Sequence, residues 1–415
     1  MDIIIHRGSK QIGGSCIEIR SDKTRLIFDI GEELPDPDNP DKTKVKLSVD
    51  DLFVDSEISN RKIDGIFISH NHGDHIGLFE TVKDEIPIFI GKTTMEVQNT
   101  IFDFISKGRK IVAAEILRNE VPIQINDFKV TPYLIDHSAF DAYAFLIECD
   151  DKKVIYSGDF RRHGTKRDFT ERFSKNSRTY EPDVLLIEGT NIFRNDFTAE
   201  DEDVIGLKAE AFMKKINGNI FALQSSANID RIVQFHKACK NTSRTLVIDI
   251  FTAHILSNIP DHTFSDIRIF YPFWLTRKMH ETPEGTKKMN RFSRRKISKE
   301  DLKTRRDLCI LVRENMLFDI EKRIDYTGSG LIYSKWEGYK KDLKTKSFLE
   351  FFNSHKLETK SLHTSGHADI QTIKDFVKNI NPGKIIPVHT ITPEKYKEIF
   401  GDLVSLIDDK IIIKV

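Results

Sequence analysis

No apolar run in the 415-residue chain approaches the roughly 18–20 residues that a membrane-spanning helix requires. Cysteine is scarce: Cys16, Cys149, Cys239 and Cys309 lie far apart, without a Cys-x-x-Cys pair. That spacing implies neither a disulfide framework nor a thiolate zinc site, and it fits a reducing, cytoplasmic setting. The opening Met1-Asp2-Ile3-Ile4-Ile5-His6-Arg7 lacks the longer apolar core of a secretion signal and reads as a first strand. Neither sign of charge is in excess, since Lys plus Arg and Asp plus Glu each number 64. This excludes a uniformly basic nucleic-acid coat and a polybasic membrane binder, so any basic surface must be local. What is present is core: 39% apolar residues, with 29 Phe, are more than a disordered chain carries. At about 150 residues per domain the length predicts two or three domains.

Several short apolar runs stop abruptly at a residue able to bind a metal or a proton. Arg25–Phe28 runs into Asp29, Gly65–Ser69 into His70, and Val130–Asp136 into His137. Lys153–Gly158 runs into Asp159, Val184–Ile187 into Glu188, and Lys384–Val388 into His389. Runs of this length, rich in β-branched residues, predict buried strands. Their ends are expected along one sheet edge, which brings the six terminal residues to one site. Helical spacing predicts helices over Asp74–Asp84 and Ala368–Val377, the second stopped by Asn381-Pro382-Gly383, and a hairpin over Tyr143–Asp159 turns at Cys149–Lys152. Strands with interleaved helices give α/β layers. The stretch Glu32–Asp41 reads as a surface loop.

The middle third repeats the alternation. A helix near 200–216 precedes the strand Asn219–Leu223, and a helix over Asn228–Lys240 precedes the strand Thr245–Asp249. Further strands are predicted at Leu308–Val312 and Gly330–Tyr333. Because His389 lies beyond this region, a shared site makes the middle third an insertion. The expected division is 1–190, then an inserted domain over 191–361, then a return to the first domain over 362–415.

His70-Asn71-His72-Gly73-Asp74-His75 concentrates three imidazoles and a carboxylate in six residues, the donors that bind Zn²⁺. Alternation along a loop leaving a strand sends His70 and His72 to one cation and Asp74 and His75 to a second. Gly73 is expected to allow the turn between the pairs. Singly, His137, Asp159 and His389 have ordinary readings as a core or rim histidine and a turn aspartate. Together with the motif they complete seven ligands, Asp159 being suited to bridging. That count suits two zinc ions with a position open for water.

This order of motifs resembles the metallo-β-lactamase superfamily: His-x-His-x-Asp-His, a distant His, Gly-Asp and a final His. Within it the chain resembles the β-CASP nucleases and ribonuclease J. The resemblance rests on Glu188 in Leu186–Thr190, on Ser225-Ser226-Ala227-Asn228-Ile229-Asp230-Arg231, on His363-Thr364-Ser365-Gly366-His367-Ala368, and on Pro387-Val388-His389. It implies an αββα sandwich carrying an inserted α/β β-CASP domain. It also implies that Asp29 orients the ligand loop from behind. There are departures: Tyr326-Thr327-Gly328-Ser329-Gly330 lacks the family's Gln-Gly-Glu continuation, Thr390 and Leu78 stand where Gly is usual, and the family's C-terminal dimerisation domain is expected to be absent after the closing strand Lys410–Val415.

The resemblance implies a zinc-dependent ribonuclease, a phosphodiesterase acting on single-stranded RNA as a 5′-3′ exonuclease, an endonuclease or both. Two Zn²⁺, with Mn²⁺ as an alternative, would supply a metal-held hydroxide. Asp74 would orient the attacking water, His367 would contact the scissile phosphate, and Glu188 would orient His367 and raise its pKa. Ser225, Ser226, His363, Ser365 and Gly366 are the candidate phosphate contacts. The segment Lys287–Arg306 carries ten bases against Glu300 and Asp301, a phosphate grip or a solvated basic loop. The alternatives are a β-CASP hydrolase of DNA or of a small phosphate ester, and a non-catalytic RNA-binding subunit. The expected partner is RNA, with no membrane, in a monomer or homodimer.

Overall fold

Apolar runs buried on both faces build two stacked sheets. The computed structural model describes residues 1–34, 47–52, 62–105, 109–260, 264–321 and 323–415. Past Leu34, the loop expected at Glu32–Asp41 lies outside them. The described residues fall into two compact units, one drawn from residues 1–199 and Ser365–Val415, the other Glu200–Thr364.

The first unit contributes β1 (Asp2–Arg7), β2 (Cys16–Arg20), β3 (Arg25–Phe28), β4 (Gly65–Ile68), β5 (Ile88–Gly91) and β6 (Glu115–Leu117). They are followed by β7 (Ile123–Ile125), β8 (Phe128–Ile135), β9 (Ala142–Cys149), β10 (Lys152–Tyr156) and β11 (Val184–Glu188). The second unit holds β12 (Ile220–Leu223), β13 (Thr245–Asp249), β14 (Arg268–Phe270), β15 (Leu308–Val312), β16 (Gly330–Tyr333) and β17 (Glu358–Ser361). The chain then returns to the first unit with β18 (Lys384–Val388) and β19 (Ile412–Lys414).

In the first unit one sheet runs β19-β1-β2-β3-β4-β5-β6 and the other β18-β11-β10-β9-β8-β7. Side chains alternate between faces. Leu26, Phe28 and Phe67 therefore enter the core between the sheets, where Phe145 and Ile147 of the facing sheet meet them. Phe145 lies edge-on to Phe28 at 5.4 Å and to Phe67 at 5.8 Å between ring centroids. The alternate residues Ile27, Ile66 and Ile68 pack outward with Phe102 of the helix Lys92–Ile105. Behind the second sheet, Ala144 and Leu146 pack with the helix Ile370–Ile380, whose Phe376 stacks on Phe160 at 4.2 Å. Burying each such Phe stabilises by about 1.5–3 kcal/mol. The layers are αββα.

This arrangement corrects the single sheet edge expected from the sequence. Asp29 and His70 end the parallel strands β3 and β4 of one sheet. His137, Asp159, Glu188 and His389 follow β8, β10, β11 and β18 of the other, all running one way: β8 and β10 are both antiparallel to β9, and β11 and β18 lie parallel to β10. Two facing sheets need two rims, and the residues gather where the rims meet. The helix expected over Asp74–Asp84 is also shorter. It spans Gly73–Ile76, ends as the Gly77 N–H bonds Gly73 O, and gives way to a single turn at Phe79–Thr81 that buries Phe79.

The second unit is one six-stranded parallel sheet, β14-β13-β15-β12-β16-β17, with a core that includes Phe221, Leu331, Phe348 and Phe352. Its helix Ile229–Asn241 starts at Asn228, whose side chain accepts from Arg231 N at 3.1 Å.

Candidate metal centre

Donor side chains around the motif form two groups. His70, His72 and His137 form one, and Asp74, His75, Asp159 and His389 form the other, with one donor atom of each residue within 4.8 Å of the rest of its group. Asp159 reaches toward both: Oδ2 lies 3.0 Å from His75 Nε2 and 3.9 Å from His70 Nε2. His389 Nε2 lies 3.2 Å from Asp74 Oδ2. All but His72 are buried.

The loop carrying the motif is held by backbone bonds to segments around it. Ser15 N donates to Asp74 O at 3.0 Å, Ile30 N to His75 O at 2.8 Å and Glu32 N to Gly73 O at 2.9 Å. A Cβ on Gly31 would stand 1.7 Å from Asp74 O. Gly31, not Gly73, is thus the glycine that the approach requires. Gly73 begins the short helix, and a Cβ there meets nothing within 4 Å, which overturns its expected role.

Each of three imidazoles is oriented from its far side. Asp29 Oδ2 accepts from His75 Nδ1 at 2.8 Å, Ser69 Oγ lies 3.0 Å from His70 Nδ1, and Thr190 Oγ1 lies 2.9 Å from His389 Nδ1. Asp29 is itself fixed by Ser69 N at 2.7 Å, Ser69 Oγ at 2.8 Å and the Tyr156 hydroxyl at 2.7 Å. Such partners set the tautomer and ring angle of a metal ligand. Asp29 and His389 both adopt left-handed backbone, at φ 61° and 51°. This is a conformation that non-glycine residues adopt at a cost and that clusters at functional sites.

The inner atoms are short of hydrogen-bond partners. His70 Nε2 and Asp159 Oδ1 are buried and unsatisfied, His75 Nε2 and Asp159 Oδ2 face only each other at 3.0 Å, and His137 Nε2 faces His72 Nδ1 at 3.1 Å. Leaving such groups unpaired costs about 1–3 kcal/mol each, and only a cation satisfies nitrogen lone pairs and a carboxylate at once. Burial, reinforced by neighbouring imidazoles, pushes His70 and His137 well below the ordinary histidine range, and burial brings His72 to about 4. These rings are neutral donors. Burial opposes the charge of Asp159, yet His389, His75 and His367 together hold it well below the usual carboxylate range. The donor set of nitrogen and carboxylate oxygen fits a transition-metal ion.

Beside the donors stands a pair of different character. His367 Nδ1 lies 3.3 Å from Glu188 Oε1 and 3.6 Å from Asp159 Oδ2. Burial lowers the pKa of His367, but the Glu188 and Asp159 carboxylates outweigh it and lift it to about 9. Glu188 also accepts from Thr190 N at 2.8 Å and Ala368 N at 3.3 Å. Asn191 clamps the segment bearing His367, donating to Ser365 Oγ at 3.0 Å, His367 O at 3.3 Å and Ala368 O at 3.2 Å.

The remaining predicted residues are placed differently. Ser365 Oγ accepts from Asn191 and from His367 N, and its carbonyl accepts from Arg161 and lies 2.7 Å from His163 Nε2. Gly366 passes so near His137 that a Cβ would stand 2.6 Å from Ser138 Oγ. The helix that follows is capped by Asp369. Ser225, Ser226 and His363 belong to the second unit. Ser226 Oγ accepts from Thr252 Oγ1 at 2.9 Å, Ser225 Oγ accepts from Ala227 N at 3.3 Å, and His363 Nδ1 has no partner. Sequence reasoning missed Ser69, Tyr156, Thr190 and Asn191. The signal for Ser69 and Thr190 was a hydroxyl one and two residues from a predicted site residue; Tyr156 and Asn191 gave none.

Two family models match the chain: a beta-lactamase superfamily domain over residues 53–237, and a Zn-dependent metallo-hydrolase RNA specificity domain over residues 355–395. The second spans His363, His367 and His389. Together the two matches support a likeness to the β-CASP metallo-β-lactamases. Among curated proteins it is similar to ribonuclease J 2 of Streptococcus pyogenes, 23% identical over 251 residues, covering 58% of this chain and 44% of that one. It is 25% identical over 232 residues to ribonuclease J of Helicobacter pylori, covering 55% and 33%. The chain thus matches less than half the length of these two relatives. An RNase J-like protein of Methanocaldococcus jannaschii is 22% identical over 419 residues, covering 92% and 91%. A solved structure of a protein of unknown function from Enterococcus faecalis superposes with a TM-score of 0.80 at 20% identity, covering 99% of both chains; this likeness shows the fold. Among the described residues no helix is long and apolar enough to cross a membrane.

Proposed function

We propose that the chain is a ribonuclease that hydrolyses phosphodiester bonds of single-stranded RNA with two zinc ions at the rim of the sandwich. One observation carries this reading: seven donors in two groups, with partnerless buried lone pairs, stand beside a Glu188–His367 pair. The relatives' names and the family's RNA specificity domain favour RNA as the substrate.

In this reading His70, His72 and His137 would hold one cation, Asp74, His75 and His389 the other, and Asp159 would serve both. When bound, such cations lower the pKa of water toward about 7 and neutralise charge on a phosphate. The chain's own groups do the rest. Asp29, Ser69 and Thr190 keep the imidazoles in place. Asp74 accepts a hydrogen bond from the attacking water. Glu188 holds His367 as an N–H donor, which contacts the scissile phosphate and gives a proton to the departing oxygen. Ser225, Ser226, His363, Ser365 and Gly366 are the proposed phosphate contacts.

The test is digestion of RNA and DNA, each labelled at one end, by the zinc-loaded protein and by Asp74→Ala and His367→Ala variants. RNA is expected to be cut and DNA spared, with both variants strongly impaired. Mononucleotides released first from the 5′ end mark an exonuclease, and internal fragments an endonuclease. Activity that survives in Asp74→Ala places the chemistry elsewhere.

A further inference from the structure

In the second unit, the segments leaving β14 and β15 emerge on the C-terminal rim of a parallel sheet, where open α/β sheets take their ligands. The helix Phe273–His280 follows β14, and the helix Leu317–Glu321 follows β15. Buried Asp319 ties them together, its Oδ1 accepting from Phe273 N at 2.6 Å and from Arg323 Nη1 at 3.3 Å. On this fixed joint three rings stand in solvent: Phe273 is 44% exposed, and Trp274 and Phe318 are 57% exposed. The centroids of Phe273 and Trp274 lie 5.6 Å apart and those of Trp274 and Phe318 6.3 Å, with the rings inclined at 72° and 49°. The rings lie near enough to act together, and no two are stacked face to face.

The charge around them has one sign. From Arg268 to Lys296 nine bases stand against Glu281 and Glu284. The Arg277 guanidinium lies 5.8 Å from the Trp274 centroid. The next helix, Pro283–Asn290, packs against the first and carries Lys287, with Tyr271 donating to Met289 O at 2.7 Å. Arg277, Lys278, Lys287, Arg291 and Arg294 are exposed, and among the described residues none pairs with a carboxylate. Protein interfaces are depleted of Lys. Exposed rings interleaved with unpaired cations are instead the composition of a single-strand stacking platform.

We propose that Trp274, Phe318 and Phe273, with Arg277 and Lys278, form a second RNA-binding site that stacks unpaired bases and holds their phosphates. The proposal rests on the ribonuclease reading and deepens it, since it prefers unpaired RNA whatever the bond cut. It is tested on the full chain by equilibrium binding, with chelator present so that no RNA is cut. The chain has two tryptophans, so Trp336→Phe leaves Trp274 as the sole indole. Its fluorescence is expected to be quenched by a twenty-nucleotide oligouridylate and not by a duplex of equal length. Trp274→Ala with Phe318→Ala is expected to weaken binding about tenfold or more, and Trp274→Tyr to restore most of it. Arg277→Gln with Lys278→Gln is expected to reduce the slope of log affinity against log salt by about 0.7 per lost phosphate contact. Unchanged affinity in the ring variants overturns the proposal. So does a change of those variants from dimer to monomer in sedimentation with RNA affinity intact, because the rings then cover a second copy. Wild-type protein that binds no RNA overturns the ribonuclease reading as well, whereas cleavage with indifferent ring variants removes the platform alone.

Discussion

His75 Nδ1 donates to Asp29 Oδ2 at 2.8 Å, and Asp29 holds this position in left-handed backbone at φ 61°. The carboxylate lies behind the imidazole, on the side away from Asp159, so it acts on any bound cation through His75 and, by way of Ser69, through His70. Asparagine tolerates that backbone and keeps one acceptor oxygen. Asp29→Asn is therefore expected to fold yet to bind zinc about 10–100-fold more weakly. Competition against a coloured chelator reads the affinity. Excess zinc should restore most of the turnover, and an unaltered zinc affinity removes Asp29 from the site.

Two glycines of the metal loop region should respond in opposite ways. A Cβ on Gly31 meets backbone, the Asp74 carbonyl, at 1.7 Å, and that carbonyl is already bonded by Ser15 N. Gly31→Ala is expected to cost about 1–3 kcal/mol or more, as overpacking does. Gly73 opens a helix with free space around it, so Gly73→Ala is expected to leave stability unchanged or raise it by up to about 0.5–1 kcal/mol. Thermal unfolding of both variants decides the matter. Equal losses would mean that the motif's own glycine shapes the loop after all.

Much of the sandwich was legible because its strands are buried on both faces, so the runs ending at His70, Glu188 and His389 are apolar without interruption. β17 was not, since Glu358-Thr359-Lys360-Ser361 has no apolar pattern and is exposed along its length. It is a strand only because it pairs with β16 in register from Gly330↔Glu358. Charged residues suit such an edge. The helix at Asp74 was overextended because helical spacing continues past Gly77, while the structure turns there to bury Phe79. The donors themselves were readable as residue types at strand ends. Thr190 behind His389, and Asn191 over the His367 segment, depend on the pairing of β11 with β18 and on a return of the chain after the insertion, which no local pattern encodes.

Glu188 and His367 face each other at 3.3 Å, and Glu188, His367 and His389 also form a set close enough to hold an ion. Metal content separates the two roles. If the pair handles protons, Glu188→Gln and His367→Gln each retain the wild-type zinc content and lose about 10²–10⁴-fold in kcat. A drop in bound zinc in His367→Gln would make His367 a ligand. Elemental analysis beside steady-state cleavage of a fluorescent RNA gives both numbers from one preparation.

Asp159 carries the strongest demand of the dinuclear reading. Its Oδ2 lies 3.0 Å from His75 Nε2, 3.9 Å from His70 Nε2 and 3.6 Å from His367 Nδ1, so one carboxylate faces ligands of both groups. A residue that served one cation alone would, when removed, leave the other group's affinity intact. Removing one that serves both weakens both. Asp159→Ser is therefore expected to lower zinc stoichiometry below one per chain, whereas His72→Ala is expected to lose only the ion shared with His70 and His137. Titration of metal-free protein followed by calorimetry separates these outcomes. Two full binding steps surviving in Asp159→Ser would detach the carboxylate from both ions and reduce the centre to its histidines and Asp74.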